Sequence, residues 1–233
     1  MTLVVGAPVC ERAWILQDWL DHLAEQEDFP ARDIEIVVNY GHSEDATLDV
    51  LVQERTRCRF RDITLLFDNH DDHVGYRLWN TDRYVTMCRL RNDLLAYVRK
   101  VKPDFYLSCD TDMLLPPHTL RILFEQFNGW NGIAPLTWMT PDGTLFPNCF
   151  ALDGSRPGPP SQTEQQYAVF GTVLMDDRLY TEVDYHPHGM GEDLGWARSA
   201  WEKGLKVALC PDVQVKHVMN HEMLAVIDPR VGF

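Results

Sequence analysis

Two aspartates stand immediately after a short apolar run in the middle of the chain. Asp110 and Asp112 follow the segment FYLSC, which has the length and hydrophobicity of a buried strand. A side-chain period of two predicts that both carboxylates point to the same side, just beyond the carboxyl end of that strand. Open α/β sheets bind ligands at this edge, and paired carboxylates suit a hard divalent cation. An Asp-rich turn is the alternative interpretation.

A second acidic pair opens an amphipathic segment later in the chain. Glu192 and Asp193 follow Gly191 and precede LGWARSAWEKG, which predicts a helix over residues 192–203 that ends at Gly204. Acidic groups at a helix N-terminus are stabilised by the helix dipole, so a structural role would explain both. A catalytic base beside flexible glycines is the functional alternative.

One histidine follows two short apolar runs near the end of the chain. His217 comes after residues 205–209 and 213–215, both of which are predicted strands. Its imidazole could ligate a divalent ion or could simply end a strand.

Alternating strand-like and helix-like segments must position these residues. Short apolar runs predict buried strands, and apolar residues three and four apart predict amphipathic helices. The alternation implies a parallel sheet covered on both faces. The other strands are expected at 1–7, 34–38, 63–67 and 169–175, and the other helices at 11–26, 43–54 (with Ser43 as a cap), 85–101 and after Pro116 and Pro117. The polar segments 68–83 and 141–166 predict loops beside the site.

Net charge and cysteine content indicate which binding partners and which cellular compartment suit this chain. The chain has 233 residues, 35 acidic against 21 basic, and a formal net charge of -14. This excess argues against binding of bare nucleic acid, because that affinity depends on Lys and Arg. Six scattered cysteines without a CxxC pair favour free thiols and a cytoplasmic location. The sequence shows no pattern of a signal peptide or a transmembrane segment.

Taken in order, the motifs resemble those of the GT-A glycosyltransferases, most closely the family-two type. The similarity runs from Leu3 to about Val218. VVGAPVCERAW resembles the family's first strand and nucleotide loop, and IEIVVNYGHSEDAT resembles its second strand and turn. RLRNDLL is similar to its arginine-bearing helix, and FYLSCDTDMLLPPHTL to its DxD segment. FGTVLMDDRLY resembles the acceptor-side strand, and GEDLGWARSAWEKGLKVALCPDVQVKHV resembles the family's ending.

The resemblance implies a fold and a reaction. The fold is α/β, a single GT-A domain over 1–233 with a mostly parallel central sheet. Residues 1–112 would bind the nucleotide sugar, 113–218 would form the acceptor-binding and catalytic half, and 219–233 would form a tail. The implied reaction is metal-dependent transfer of a sugar from a nucleoside-diphosphate sugar, with a UDP-sugar expected, to an acceptor hydroxyl. Inversion at the anomeric carbon is expected.

The resemblance also implies a role for each motif residue. Asp110, Asp112 and His217 would hold Mn²⁺ or Mg²⁺ on the donor diphosphate. Asp193 would be the general base that deprotonates the acceptor hydroxyl. The implied donor-binding residues are Pro8, Val9, Glu11, Asn39, Arg91 and Asp110. The implied acceptor-binding residues are Gly171, Glu192 and Trp196.

Several alternatives stay open at the level of sequence. Asn39 stands where the family usually has Asp, which leaves the nucleotide base undecided. The ending is also similar to that of some retaining enzymes of this fold. A sugar nucleotidyltransferase is disfavoured because GAPVCER is not a Gly-rich basic loop, while a metal-dependent hydrolase or nuclease and a non-catalytic cation-binding protein are further possibilities. The acceptor could be a saccharide, a lipid-linked sugar, a protein or a modified nucleobase.

Overall fold

Strands and helices alternate through the first half of the chain, as the hydrophobic pattern predicts. The computed structural model describes residues 1–68, 81–139, 146–150, 155, 158–221 and 223. The strand that carries the DxD segment has the predicted bounds. The first seven elements are β1 (Leu3–Val9), α1 (Ala13–Ala24), β2 (Ile34–Tyr40), α2 (Thr47–Arg57), β3 (Asp62–Phe67), α3 (Thr81–Val101) and β4 (Phe105–Cys109).

The second half of the chain contains more strands than the sequence predicts. Its elements are β5 (Met113–Leu114), α4 (Thr119–Gln126), β6 (Gly132–Met139), β7 (Phe146–Pro147), β8 (Cys149–Phe150), β9 (Glu164–Gln166), β10 (Ala168–Val169), β11 (Thr172–Met175), α5 (Asp177–Glu182), α6 (Glu192–Glu202) and β12 (Val207–His217). The predicted strand 169–175 is therefore two strands. The two strands predicted at 205–209 and 213–215 are one, β12, whose pairing shifts register between Cys210 and Gln214.

Two helix starts also differ from the prediction. Ser43 does not cap α2, because the helix begins at Thr47, whose N–H donates to the Asp45 carboxylate over 2.9 Å. The Ser43 hydroxyl accepts the N–H of Glu11 instead. Helix α4 begins at Thr119, two residues after the second proline, so neither proline occupies its first turn.

The large sheet is mixed rather than purely parallel, which refines the expectation of a mostly parallel one. Its order is β3-β2-β1-β4-β11-β6-β12-β5. Strands β3, β2, β1 and β4 pair in parallel, as do β6 and β12, but β11 runs antiparallel between β4 and β6. A continuous apolar run identifies a buried strand without fixing its direction, so the reversal at β11 is not readable from the sequence.

Helices cover both faces of this sheet and create two apolar layers. On one face, Trp19 and Leu20 of α1 pack with the side chains of β1 and β2 and with Leu123 of α4. On the other face, Leu95 of α3 and Trp196 of α6 belong to a second buried cluster. The two layers hold β1 and β4 rigidly, so the loops at their ends have fixed anchors.

Some predicted features fall outside the described residues. This applies to residues 69–80 of the predicted 68–83 loop, to parts of the 141–166 segment, and to most of the 219–233 tail. Residues 81–83 belong to α3 rather than to a loop. Within the described ranges, no helix has the length and apolar character needed to cross a membrane.

Candidate active site

The loops that follow β1, β2 and β4 meet at one edge of the sheet. Strand β1 pairs in parallel with both neighbours, so Pro8 lies opposite Asn39, and the loop leading to Asp110 begins beside them. The N–H of Gly41 donates to the carbonyl of Val9 over 2.8 Å and ties the first two loops together. The parallel register therefore gathers the predicted donor-binding residues at the carboxyl edge of the strands, where α/β folds bind ligands.

Glu11 fastens the loop after β1 with both its backbone and its side chain. Its φ of 53° lies in the left-handed region, which is uncommon outside glycine. Its N–H donates to the Ser43 hydroxyl over 3.0 Å, and its carboxylate accepts the N–H of Glu44 over 2.5 Å. These contacts compensate the unusual backbone and fix the direction in which the loop leaves β1.

Asn39 joins the end of β2 to α3. Its side-chain nitrogen donates to the carbonyl of Leu90 over 3.1 Å and to the Asp93 carboxylate over 3.4 Å. These two acceptors fix the orientation of the amide. Its carbonyl oxygen is buried and has no hydrogen-bond partner in the structure.

Arg91 contacts most of the other residues in the buried part of the site. It lies on α3 and is 4% exposed. Its Nη2 donates to both carboxylate oxygens of Asp110 over 2.8 and 3.0 Å. Its Nε reaches Glu192 over 3.3 Å, its Nη1 reaches the Ser108 hydroxyl over 3.3 Å, and its guanidinium lies 5.5 Å from the centre of the Tyr185 ring. The motifs did not indicate Ser108 or Tyr185, because neither residue type is distinctive at its position.

Several carboxylates surround the single guanidinium of Arg91, and they shift one another's pKa values. Burial alone would lower the pKa of Arg91, but Asp110, Asp193 and Glu192 outweigh burial and raise it. Burial raises the pKa of Asp110, Arg91 opposes that effect, and Asp112 and Glu192 add to it. The site therefore holds more negative charge than its guanidinium neutralises.

The pKa of Asp193 is strongly raised by burial and by this excess of negative charge. Burial, with the negative charges of Glu192 and Asp110, raises its pKa to about 8, against a lowering by Arg91 and by the N–H of Gly171, which donates to the carboxylate. Asp193 lies in the first turn of α6, directly after Gly191, whose φ of 128° is suited to glycine. A carboxyl group that titrates close to neutral pH is suited to proton transfer.

The DxD segment leaves β4 as a turn, so its two carboxylates do not share partners. The N–H of Met113 donates to the carbonyl of Asp110 over 3.0 Å, and the strand has already ended at Cys109. The period-two argument for their orientation applies only to extended backbone, but the two carboxylates stay close enough for Asp112 to add to burial in raising the pKa of Asp110. The carbonyl of Asp112 accepts the N–H of Val218 over 2.8 Å, which joins this turn to the end of β12.

Asp112 lies between two nitrogen-bearing side chains. Its Oδ1 is 3.8 Å from the Nε2 of His217, and its Oδ2 is 3.7 Å from the Nη2 of Arg12. Burial would raise the pKa of Asp112, but His217 and Arg12 outweigh burial and lower it. The structure thus brings Asp112 and His217 together as the sequence predicts, and it adds Arg12, which lies in the nucleotide-loop motif but was given no role there.

A divalent cation fits this arrangement only with help from the ligand. Among the described residues, no three His, Cys, Asp or Glu side chains are grouped so that they could hold a metal ion by themselves. Asp112 and His217 offer an oxygen and a nitrogen, and the buried Nδ1 of His217 has no hydrogen-bond partner. Such a mixed pair suits Mn²⁺ when diphosphate oxygens and water complete the coordination. Asp110 is bound on both oxygens by Arg91.

Trp196 and Glu192, two of the residues expected to bind the acceptor, are both buried. Trp196 is 1% exposed and stacks on Tyr185 with 5.8 Å between the ring centres. This burial contradicts the expectation that Trp196 faces an acceptor, because its ring has no open face. Glu192 is 7% exposed and is bound by Arg91.

The fold matches that of several structurally characterised glycosyltransferases. S. aureus TarS 1-349 in complex with UDP-GlcNAc superposes with a TM-score of 0.63 at 16% identity and covers 97% of this chain and 61% of that chain. The mannosyltransferase PcManGT from Pyrobaculum calidifontis, in complex with GDP-Man and Mn²⁺, has a TM-score of 0.63 at 16% identity, covering 94% and 57%. GalNAc-T7 with UDP, GalNAc and Mn²⁺ reaches 0.66 at 12% identity, covering 93% and 44%.

Comparison by sequence finds a curated relative as well. A glycosyltransferase 25 family member from Drosophila pseudoobscura pseudoobscura is 29% identical over 122 residues, which are 49% of this chain. The match covers 19% of that relative's length, and the chain covers less than two thirds of each of the three solved structures. No protein-family model matches the chain. The structural likenesses show that the chain has the GT-A glycosyltransferase fold that the sequence predicts.

Proposed function

We propose that this chain is a metal-dependent glycosyltransferase that moves a sugar from a nucleoside-diphosphate sugar to an acceptor hydroxyl. One observation carries the proposal: at one edge of a GT-A sheet, an Asp112–His217 pair able to bind a cation lies close to an acid-rich cluster that contains Asp193. The excess negative charge of this cluster favours a cation and a hydroxyl donor as its ligands.

The fold neighbours support a nucleotide-sugar donor. Their complexes contain UDP-GlcNAc, GDP-Man with Mn²⁺, and UDP with GalNAc and Mn²⁺. We place the donor on the loops of Pro8, Val9 and Glu11, beside Asn39 and Asp110, with a UDP-sugar as the expected donor. The partnerless carbonyl oxygen of Asn39 is a candidate acceptor for a ring N–H of the base.

The proposed cation would bind the diphosphate of this donor. Asp112 and His217 would hold Mn²⁺ or Mg²⁺. When bound, the ion would neutralise the charge that develops on the departing nucleoside diphosphate. Arg91 keeps Asp110 and Glu192 in place at the border of this site.

Asp193 is the proposed general base. The N–H of Gly171 donates to its carboxylate, and its pKa of about 8 makes the ionised form a stronger proton acceptor than an ordinary carboxylate, with the ionised fraction growing as the pH rises towards 8. Direct attack by a hydroxyl that Asp193 deprotonates would invert the anomeric carbon. We therefore place the acceptor beside Gly171 and Asp193, in the half formed by residues 113–218, and the donor in the half formed by residues 1–112.

A reducing compartment agrees with the cysteine chemistry. All six cysteines are free, and Cys88, Cys109, Cys149 and Cys210 are buried. We infer a cytoplasmic location, in which unpaired thiols persist.

Two aspartate variants test the proposal directly. Purified protein is incubated with a panel of nucleotide sugars, with and without Mn²⁺ and with and without a panel of hydroxyl acceptors, and nucleoside diphosphate release is measured. We expect Mn²⁺-dependent release, and we expect Asp112→Asn and Asp193→Asn each to reduce it by about 10²-fold or more. The same change at Asp177, which is exposed on α5, is the matched control and should leave the rate unaltered.

The outcome separates the proposal from its alternatives. Full activity of either site variant would overturn the assigned roles. Pyrophosphate release from a nucleoside triphosphate would indicate a nucleotidyltransferase instead, and cleavage that no acceptor accelerates would indicate a hydrolase.

A further inference from the structure

Arg12 lies against the carboxylate expected to bind the metal. Its Nη2 is 3.7 Å from Oδ2 of Asp112, while His217 faces the other oxygen of that carboxylate. The side chains of Arg12 and Asp112 are only 22% and 17% exposed, so water screens this pair weakly. Arg12 therefore supplies positive charge at the position where a divalent cation would also have to act.

The backbone of Arg12 is fixed, whereas its long side chain bridges two loops. Its N–H donates to the hydroxyl of Thr47 over 2.8 Å, and its carbonyl accepts the N–H groups of Ile15 and Leu16 at the start of α1. Thr47 is fully buried and is bound in turn by Asp45. The Nη1 of Arg12 also donates to the carbonyl of Glu11 over 3.4 Å, so a change of partner at Arg12 requires rotation of the side chain and rearrangement of this contact, but not movement of α1.

Two cations cannot share Asp112 without cost. A metal on Asp112 would bring two further positive charges close to the guanidinium of Arg12, and like charges at this separation repel in a weakly screened site. The donor diphosphate has the opposite sign, and a guanidinium binds phosphate oxygens well. Metal alone would repel Arg12 without offering it another partner, so its binding is opposed, whereas metal and diphosphate together give the guanidinium a new partner of opposite charge.

We propose that Arg12 is a positioning residue that neutralises Asp112 in the donor-free protein and pairs with the donor diphosphate when a divalent cation takes its place. This inference rests on the proposed function, since it requires that Asp112 binds metal and that a nucleoside diphosphate binds beside it. Its consequence is coupling: Arg12 makes Mn²⁺ bind weakly without the nucleotide and tightly with it.

Equilibrium titration tests the coupling without measuring catalysis. The dissociation constant of Mn²⁺ is determined by calorimetry in the absence and in the presence of saturating UDP, for the wild type, Arg12→Gln and Arg32→Gln. Arg32 is exposed and precedes β2, so its variant controls for the loss of one positive charge. We expect Arg12→Gln to tighten Mn²⁺ binding without UDP, and to reduce the effect of UDP on that binding by about 5-fold or more. Arg32→Gln should change neither quantity.

Different failures have different meanings. If the wild type shows no coupling between Mn²⁺ and UDP, both the proposed function and the role of Arg12 are overturned. If the wild type couples them and Arg12→Gln couples them equally, only the role of Arg12 fails. Arg12→Lys is a second variant that keeps the charge but not the bidentate fork, and we expect it to retain the weak binding of Mn²⁺ without UDP.

Discussion

Arg91 decides how the acidic residues of the site are arranged. Asp110, Glu192 and Asp193 come from distant parts of the chain and all interact with this one guanidinium. Because Arg91 is 4% exposed, its guanidinium is largely removed from water, and an unpaired charge is costly in such surroundings. The geometry requires a planar group with several donors, which lysine does not provide.

We therefore predict that Arg91→Lys is not a conservative change. Lysine can bind Asp110 but cannot also reach Glu192 and Ser108, so buried acceptors lose their donors. We expect a loss of roughly 2–4 kcal/mol in the free energy of unfolding, measured by urea denaturation, together with loss of transfer activity. Arg198→Lys, at an exposed i,i+4 pair on α6, is the control and should stay within about 0.5 kcal/mol of the wild type.

Asp193 should give the reaction a characteristic pH dependence. Its raised pKa of about 8 means that the carboxyl is largely protonated at neutral pH, and a general base must be deprotonated to act. We predict that kcat/KM for the donor rises from pH 6 and levels off above about pH 8, since this quantity reports groups of the free enzyme. A profile that is flat from pH 6 to 9 would count against Asp193 as the base.

Helix α6 delivers Asp193 to the site, and its position depends on one close contact. A Cβ atom on Gly195 would lie 1.7 Å from the carbonyl oxygen of His186, so only glycine allows the helix to approach this segment. The same segment leads into Tyr185, whose N–H and carbonyl are both bound by the side chain of Asn92 on α3. The helix is thus seated against a backbone that α3 already holds.

Substitution of Gly195 should consequently affect the whole helix. In Gly195→Ala the added methyl group must displace α6 or the His186 segment, which would move Asp193. We expect a destabilisation of about 1–3 kcal/mol, measured by thermal unfolding, and a reduced transfer rate. Gly189→Ala is the matched control, because a Cβ atom there meets nothing within 4 Å, and it should leave stability and rate nearly unchanged.

At the scale of the whole molecule, two buried acids whose pKa values shift in opposite directions make the stability of the fold depend on pH. Burial would raise the pKa of Glu54, but hydrogen bonds and charge from Arg59 and Arg57 outweigh burial and lower it. The stabilisation from Glu54 is therefore present above about pH 4.5 and is lost as the pH falls. Asp193 has a raised pKa, so its contribution is present at low pH and is lost as the pH rises through about 8.

We predict a maximum of the melting temperature at about pH 5–6, measured by differential scanning calorimetry from pH 4 to 9. Asp193→Asn should remove much of the decline in melting temperature on the alkaline side, because no charge then has to be buried.

Glu54→Gln should lower the melting temperature most above pH 5, where the ionised Glu54 is paired with Arg59 over 2.5 Å. Glu25→Gln, at an exposed position, is the control. Equal alkaline declines in the wild type and Asp193→Asn would contradict the prediction.

The net charge of -14 is spread over the whole chain, but a small part of it lies in the proposed site. Asp110, Asp112, Glu192 and Asp193 form one acidic region, tied to Arg91 and Arg12. The sequence identified these acids through their positions after a strand and at a helix start. It could not indicate how many of them a buried cation would neutralise.

The sequence by itself determined the order of the early strands and helices, and it predicted a site at the carboxyl edge of the sheet and the residue types that could act there. These follow from hydrophobic periodicity and from the end of each element, which are local properties of the chain. Only the tertiary structure decided that β11 is reversed, that Trp196 is buried, that Arg12 faces Asp112, and that Arg91 binds a glutamate 101 residues away. The reason is physical: these outcomes depend on how distant elements pack together, and the energy of that packing is not contained in any single segment.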